Sequence, residues 1–137
     1  MKTIVLISCV SQKLMCSARA ADLYTSTLFK LNLRYAEILD PDETYILSAK
    51  YGLLSLDDVI EPYDKTLNEM GTAAVKLWAS MVLEQLAKKS DLVNDHFIFL
   101  AGNNYRKFVL PSLMSYDVPL VGLRIGEQLK RLKELTA

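Results

Sequence analysis

Three short, mainly apolar runs, each ending in small or polar residues, constrain this chain more than any other feature of its sequence. They span residues 4–8, 44–48 and 95–101, of which the first is apolar without interruption up to Ser8. Such runs are typical of strands that are buried on both faces of a parallel sheet. Two segments with helical periodicity, residues 20–40 and 68–89, separate the runs. The alternation predicts one α/β domain over residues 1–137, a three-layer α/β/α arrangement around a small, mainly parallel, four-stranded sheet.

The remaining segments carry weaker signals. Residues 105–113 have helical spacing, but Pro111 interrupts them and predicts a kink or an early break. Residues 119–121 predict a weak fourth strand, and the apolar positions of residues 125–132 predict a last, highly charged helix. We expect residues 9–19 and 49–66 to be loops.

The balance of charges excludes a general electrostatic attraction of the whole protein to nucleic acid. Lys and Arg number 16, as do Asp and Glu, so the formal net charge is zero and only a local basic patch remains open. Cys9, Cys16 and the single His96 are too few for a structural zinc site, and we expect no metal or other cofactor. The apolar N-terminal run is too short to span a membrane and precedes no convincing cleavage region, which favours a cytoplasmic protein without a membrane partner.

Polar side chains follow each of the three predicted strands. Because the carboxyl ends of parallel strands meet at one edge of a sheet, where ligands bind, we expect these side chains to form one site. The first strand contributes Ser8, Cys9 and Lys13; the second contributes Ser48, Lys50, Tyr51, Gly52, Glu61, Tyr63 and Asp64; the third contributes Gly102, Asn103, Asn104 and Tyr105.

The segment after the first strand, SCVSQK at residues 8–13, has two interpretations. Its hydroxyls, backbone N–H groups and Lys13 are typical of an anion-binding loop. It is equally typical of a strand end with a partly buried Cys9, because free cysteine behaves as a small apolar residue. A nucleophilic Cys9 would need a partner such as Lys13 or Lys50 to lower the pKa of its thiol.

The segment after the second strand also has a functional and a structural interpretation. Gly52 allows a turn and a close approach to a ligand, beside the flat ring of Tyr51 and the charge of Lys50. A plain strand exit with a turn glycine is the alternative, and the density of polar residues favours function. Glu61 or Asp64 is a candidate general base, although both could simply cap the loop or the next helix.

Four further features have mainly structural interpretations. Tyr24 fits the apolar stripe of the first helix, and Ser26 faces the site only if the N-terminus of that helix points there. We expect His96 to be partly buried at the start of a strand, away from the site. The cations of the last helix indicate a solvated face, with a DNA-contacting surface as the alternative.

Two of these segments resemble the core of the YaaA peroxide-stress family. They are SAKYGLL at residues 48–54 and IEPYD at residues 60–64, and the segments at residues 6–13 and 100–108 resemble that family in the same order. The chain is also similar to short bacterial and phage proteins of unknown function that carry SCxxxK, LYxSxLF, SAKYGLL and PYD motifs. A weaker likeness links residues 9–26 to the archaeosine synthase core. Lys50 and Asp64 differ from the Leu and Arg of the longer YaaA family.

The resemblance implies a fold similar to that of uracil-DNA glycosylases. We therefore expect a protein that binds a nucleobase, nucleotide or nucleic acid, and a small enzyme that acts on a base or an N-glycosidic bond. A non-catalytic DNA-binding or oxidative-stress protein is the alternative. The expected catalytic residues are Lys13 and Lys50, which neutralise phosphate or a developing anion, and Glu61 or Asp64, which positions water or takes a proton. The expected substrate-binding residues are Tyr51 and Tyr63 for stacking, Ser8 and Asn103 for the base edge, and Cys9, Tyr24, Ser26, Ser48, Gly52 and Tyr105.

Overall fold

The predicted alternation of strands and helices is confirmed. A computed structural model of the chain describes residues 1–8 and 16–137. Its strands are β1 (Thr3–Ser8), β2 (Ala18–Arg19), β3 (Glu43–Ser48), β4 (Gly52–Ser55), β5 (Val59–Ile60), β6 (His96–Leu100) and β7 (Tyr116–Asp117). Its α-helices are α1 (Ala20–Leu23), α2 (Thr27–Leu39), α3 (Thr72–Lys89), α4 (Asn103–Arg106) and α5 (Ile125–Leu135), with short 3-10 turns at Leu67–Glu69 and Leu110–Ser112.

The main sheet has β1 at its centre. Its strand order is β4-β3-β1-β6-β7, in which β3, β1, β6 and β7 are parallel and β4 is antiparallel to β3. Side chains 4–7 of β1 are completely buried, as expected for a strand with neighbours on both sides and helices on both faces. Helix α2 connects β1 to β3, and α3 lies in the connection from β4 back across the sheet to β6. Because these two connections run in opposite directions, right-handed crossovers put α2 and α3 on opposite faces of the sheet. Helix α5 packs on α2.

The predicted sheet of four strands is wrong, because residues 49–66 are not only a loop. A three-residue connection, 49–51, turns the chain back, and Gly52 begins β4 with a φ of +75°. Ser48 pairs with Gly52 and Leu47 with Leu53, which makes a hairpin at the edge of the sheet. A Gly in the left-handed region after a short loop is a known hairpin signal. The short strand β5 pairs instead with β2 in a separate antiparallel pair.

The predicted continuous helix over residues 20–40 is wrong as well. Helix α1 ends at Leu23, and Tyr24 has extended backbone angles. Ser26 begins α2 as its N-cap, because its Oγ accepts a hydrogen bond of 3.1 Å from the amide of Phe29. The cap stabilises a new helix start, and the break leaves the Tyr24 side chain fully packed, with 1% of its surface exposed.

The last predicted strand lies earlier in the chain than expected. Strand β7 pairs with Phe97 and Ile98 of β6, whereas residues 119–121 form a turn. The predicted early break at Pro111 is confirmed, since α4 ends at Arg106 and Pro111 lies in a separate 3-10 turn. Among the described residues, the helices are all too short or too polar to cross a membrane.

Candidate functional site

The carboxyl ends of β1, β3 and β6 meet at one edge of the sheet, as predicted. After β1 the chain proceeds to β3 on one side, and after β3 it crosses to β6 on the other, so the strand order reverses between β1 and β6. Open α/β sheets bind ligands at such a switch point. The two strand ends are joined directly, because the amide of Gly102 donates a 3.3 Å hydrogen bond to Ser8 Oγ. We call this region the strand-end site and define it by Ser8, Ser48, Tyr51, Tyr63 and Gly102.

A chain of three hydroxyl groups lies at the centre of the strand-end site. Ser48 Oγ donates to the hydroxyl of Tyr63 at 2.7 Å, and the hydroxyls of Tyr63 and Tyr24 are also 2.7 Å apart. Neighbouring hydrogen bonds in a poorly hydrated place polarise one another, so the three groups act as a unit. The chain connects the end of β3, the segment after β5 and the break before α2.

Ser48 is the anchor of this chain. It is completely buried, and its Oγ accepts hydrogen bonds from the amides of Lys50 at 3.3 Å and Tyr51 at 3.1 Å. Its carbonyl oxygen accepts a 2.9 Å hydrogen bond from Nε1 of Trp78 on α3. The hydroxyl of Ser48 therefore holds the turn that carries Lys50 and Tyr51, and its carbonyl fixes the end of β3 to α3.

The two tyrosines predicted to stack on a ligand have different surroundings. The Tyr63 ring lies edge-on to Tyr24 and to Tyr51, with centroid separations of 6.5 Å and 5.6 Å. Tyr51 is half-buried, and the ammonium of Lys50 lies 5.2 Å from its ring centroid. Tyr63 is thus held between two neighbouring rings, which leaves Tyr51 as the better candidate for stacking.

Gln85 on α3 fixes the hairpin that forms one side of the site. Its Oε1 accepts a 2.8 Å hydrogen bond from the amide of Leu53, and its Nε2 donates to the carbonyl of Tyr51 at 3.2 Å. Gly52 lies between these two residues, and a Cβ built there would lie 2.3 Å from Gln85 Oε1 and 2.8 Å from Met81 Cε. The close approach that glycine permits is therefore to α3.

The side of the site after β6 depends on Tyr105. Its ring is buried and packs edge-on against Trp78, with centroids 5.5 Å apart. Its hydroxyl accepts a 3.3 Å hydrogen bond from the amide of Leu67 and lies 3.4 Å from Thr66 Oγ1. Through these contacts Tyr105 packs α4 against α3 and the 3-10 turn at Leu67–Glu69. On the same short helix, Asn103 is exposed, and Asn104 donates to Asn68 Oδ1 at 2.8 Å.

Three of the four candidate catalytic residues lie in the described part of the chain, and all three are exposed. Lys13, like Cys9, lies outside the described residues. Glu61 and Asp64 flank the Tyr63 segment and are both exposed, as is Lys50. No hydrogen bond joins either carboxylate to the hydroxyl chain in residues 1–8 and 16–137. Within the same part of the chain, no cluster of three or more His, Cys, Asp or Glu side chains could hold a metal ion.

Two titratable side chains, His96 and Tyr45, lie away from the strand-end site. His96 is partly buried at the start of β6, as predicted, with Nδ1 2.6 Å from Ser115 Oγ and Nε2 2.9 Å from Asp117 Oδ2. Burial, with a smaller effect of the neighbouring Glu43, raises the pKa of Tyr45 to about 12. Tyr45 therefore stays protonated at neutral pH in the middle of β3.

The sequence prediction missed Trp78 and Gln85 as supports of the site. They are seven positions apart on α3, which places them on the same face of the helix. A glutamine on an otherwise apolar stripe was the available signal, because such a residue usually needs a polar partner.

The fold and the site define an α/β protein with a polar, tyrosine-rich site at the switch point of a mostly parallel sheet. Residues 4–134 match the family described as "Family of unknown function (DUF6884)", and the chain belongs to this family. It is also similar to a "UPF0246 protein" of Shewanella halifaxensis (strain HAW-EB4), with 30% identity over 107 residues that cover 71% of this chain. The match covers 40% of that longer relative. No solved structure matches the chain.

Proposed function

We propose that the strand-end site binds a nucleobase or nucleotide, and that the protein is a small enzyme acting on the base or the N-glycosidic bond, free or within nucleic acid. The observation that carries this proposal is the hydroxyl chain of Tyr24, Tyr63 and Ser48 beside the half-buried ring of Tyr51. Aromatic faces bind bases by stacking, and the buried hydroxyl of Ser48 holds the backbone that carries this ring in place. We also propose that the fold is similar to that of uracil-DNA glycosylases, as the sequence resemblance implies.

The arrangement suits a planar ligand with polar edges. Tyr51 offers the ring face, and Ser48 holds its backbone in place through the Tyr51 amide. Ser8 at the end of β1 and Asn103 after β6 would hydrogen-bond to the edge of the base. Lys50 would neutralise a phosphate, or the negative charge that develops on a departing base.

The reaction that we favour breaks the carbon–nitrogen bond between sugar and base. Water attacks the anomeric carbon and loses a proton, and the base leaves with the bonding electrons and gains a proton. Glu61 or Asp64 would orient the water and accept its proton, and the exposure of both carboxylates leaves them free to approach a bound substrate. Lys13 is the second candidate cation for the leaving group.

A thermal-shift screen of nucleobases, nucleosides, nucleotides and short oligonucleotides tests binding. We expect at least one class to raise the melting temperature, because a ligand that binds only the folded state stabilises it. Chromatography of the ligand that binds would then reveal released base. Glu61→Gln or Asp64→Asn should slow release while binding persists. No thermal shift with any compound at millimolar concentration would refute the proposal.

A non-catalytic DNA-binding or oxidative-stress protein is the second candidate function. It is favoured by the exposed cations of α5, among them Lys130 and Arg131, although Glu127 and Glu134 lie on the same helix. A gel shift distinguishes the two functions. Weaker DNA binding by the double variant K130E/R131E, with unchanged binding by Lys50→Ala, would favour this second candidate over the strand-end site.

A further inference from the structure

A concave surface next to Gly102 of the strand-end site begins at Asn103. This groove has a volume of about 750 Å³ and lies between the α4 region and the segment that follows β7. Its apolar lining includes Leu110, Pro111, Val118 and Val121, and its polar lining includes Asn103, Arg106 and Lys107. Helix α4 begins just after β6, and Val118 directly follows β7, so the groove lies at the carboxyl ends of these strands. Asn103 belongs both to the groove and to the predicted site.

Arg106 is half-buried and has no carboxylate partner among the residues that the structure describes. Its NH1 donates a 2.6 Å hydrogen bond to the carbonyl of Ala101, and within residues 1–8 and 16–137 no Asp or Glu forms an ion pair with it. Residues 9–15 contain no Asp or Glu, so that segment has no carboxylate to offer. Burial lowers the pKa of Arg106, yet a guanidinium remains charged at neutral pH. Arg19, by contrast, pairs with Asp22 and Asp57.

Lys107 supplies a second positive charge in the lining of the groove. Its ammonium group lies 5.1 Å from the centroid of the Phe108 ring. Of the residues that line the groove, Asp117 is the one acid in the described part of the chain, and it already lies 2.9 Å from His96 Nε2. Arg106 and Lys107 outnumber Asp117 in the lining of the groove, and this excess of positive charge in a chain of zero net charge matches an anionic ligand.

We propose that this groove is the phosphate subsite of the strand-end site, in which Arg106 binds phosphate oxygens and Lys107 supplies a second charge. The inference rests on the proposed function and names the substrate class as phosphorylated: a nucleotide, or a nucleotide unit of a strand, in preference to a free base or nucleoside. Arginine suits this role because its planar N–H groups match two phosphate oxygens at once. The apolar wall of Val118 and Val121 would cover the uncharged part next to the phosphate.

The test compares the affinity for a nucleoside with that for its 5′-monophosphate, measured by calorimetry for the base found in the thermal-shift screen. The wild-type protein should bind the monophosphate at least about tenfold more tightly, as expected for charge-assisted hydrogen bonds. Arg106→Gln and Lys107→Gln should lower this ratio towards one and leave nucleoside binding unchanged. Lys88→Gln, an exposed lysine near the end of α3, is the matched control and should keep the full ratio.

The outcomes separate the two proposals. Equal affinity for nucleoside and monophosphate would overturn the phosphate subsite and leave the proposed function intact. If no nucleoside or nucleotide binds, the protein is titrated with inorganic phosphate while the NMR signals of the Arg106 side chain are monitored. This titration tests the phosphate subsite independently of the proposed function. If phosphate shifts these signals saturably in the wild type and less in Lys107→Gln, the phosphate subsite is supported even though the proposed function fails. If phosphate causes no saturable shift, the phosphate subsite is overturned. Tighter binding of a short oligonucleotide than of the monophosphate identifies a strand as the source of the phosphate. Arg106→Gln also removes the hydrogen bond to the Ala101 carbonyl and could disturb the fold. Lys107 forms no side-chain hydrogen bond among the described residues, so Lys107→Gln tests the subsite without this loss.

Discussion

The hydroxyl oxygens of Tyr24 and Tyr63 lie 2.7 Å apart, although 39 positions separate these residues in the chain. The contact ties the break before α2 to the segment after β5, and Ser48 extends it to the end of β3. One set of hydroxyl groups thus holds three segments that approach one another only in the folded protein. The stability of the fold and the shape of the strand-end site therefore depend on the same contacts.

Tyr63→Phe should destabilise the protein by about 1–3 kcal/mol, because it removes the hydroxyl that Ser48 and Tyr24 contact while keeping the ring. Urea unfolding measures the change. Tyr116→Phe is the matched control, since Tyr116 is an exposed tyrosine, and it should stay within about 0.5 kcal/mol of the wild type. Equal stability of the two variants would show that the hydroxyl chain contributes little.

Gly52→Ala should be more damaging than its small size suggests. Residue 52 has a φ of +75°, and a Cβ there meets Gln85 Oε1 at 2.3 Å. The left-handed backbone alone costs about 1–2 kcal/mol for an L-residue, and the displaced Gln85 adds to this. Gly126→Ala on α5 is the control, because no atom of the described residues lies within 4 Å of its Cβ position, and it should stabilise by up to about 1 kcal/mol. Thermal or urea unfolding of both variants would show the opposite signs.

Tyr51→Leu should weaken binding of the ligand about tenfold or more, because stacking on an aromatic ring contributes about 1–3 kcal/mol per base. Tyr51→Phe keeps the ring and should bind as the wild type does. Fluorescence of Trp78 can follow the titration, since it is the single tryptophan and contacts the Ser48 carbonyl. Equal affinities of the leucine and phenylalanine variants would show that the base does not stack on Tyr51.

Asp95→Asn should lower stability at neutral pH and have little effect in acid. The Asp95 carboxylate accepts hydrogen bonds of 2.8 Å from the amides of Asp91 and Lys2, and these lower its pKa in the folded protein. A lowered folded-state pKa means that this stabilisation is present above the unfolded-state value, about 3.9, and is lost as the pH falls through the folded-state value. Urea midpoints of wild type and variant should therefore converge on acidification. The exposed Asp64→Asn serves as the control and should keep the wild-type urea midpoint at neutral pH.

Strong local patterns explain which elements could be predicted from the sequence. Residues 4–7 are apolar without interruption because β1 has strands on both sides, and the run needs no tertiary information to be recognised. The sequence does not reveal the hairpin of β3 and β4, because polar residues at 50 and 51 resemble a ligand loop and Gly52 fits a functional turn equally well. The break at Tyr24 was missed because Tyr24 also fits the apolar stripe of a continuous helix.

The sequence alone determined the alternation of strands and helices, the parallel arrangement of β1, β3 and β6, and the edge of the sheet where polar residues gather. These features follow from the local periodicity of apolar residues and from the rules for connecting consecutive strands. Both depend only on residues that are close together in the sequence. Only the tertiary structure decided that the Tyr24, Tyr63 and Ser48 hydroxyls bond together, that Trp78 and Gln85 hold the turn between β3 and β4, and that Arg106 has no carboxylate partner among the described residues. Such relationships join side chains distant in sequence, and hydrogen-bond geometry over a few ångströms leaves no periodic trace in the order of the residues.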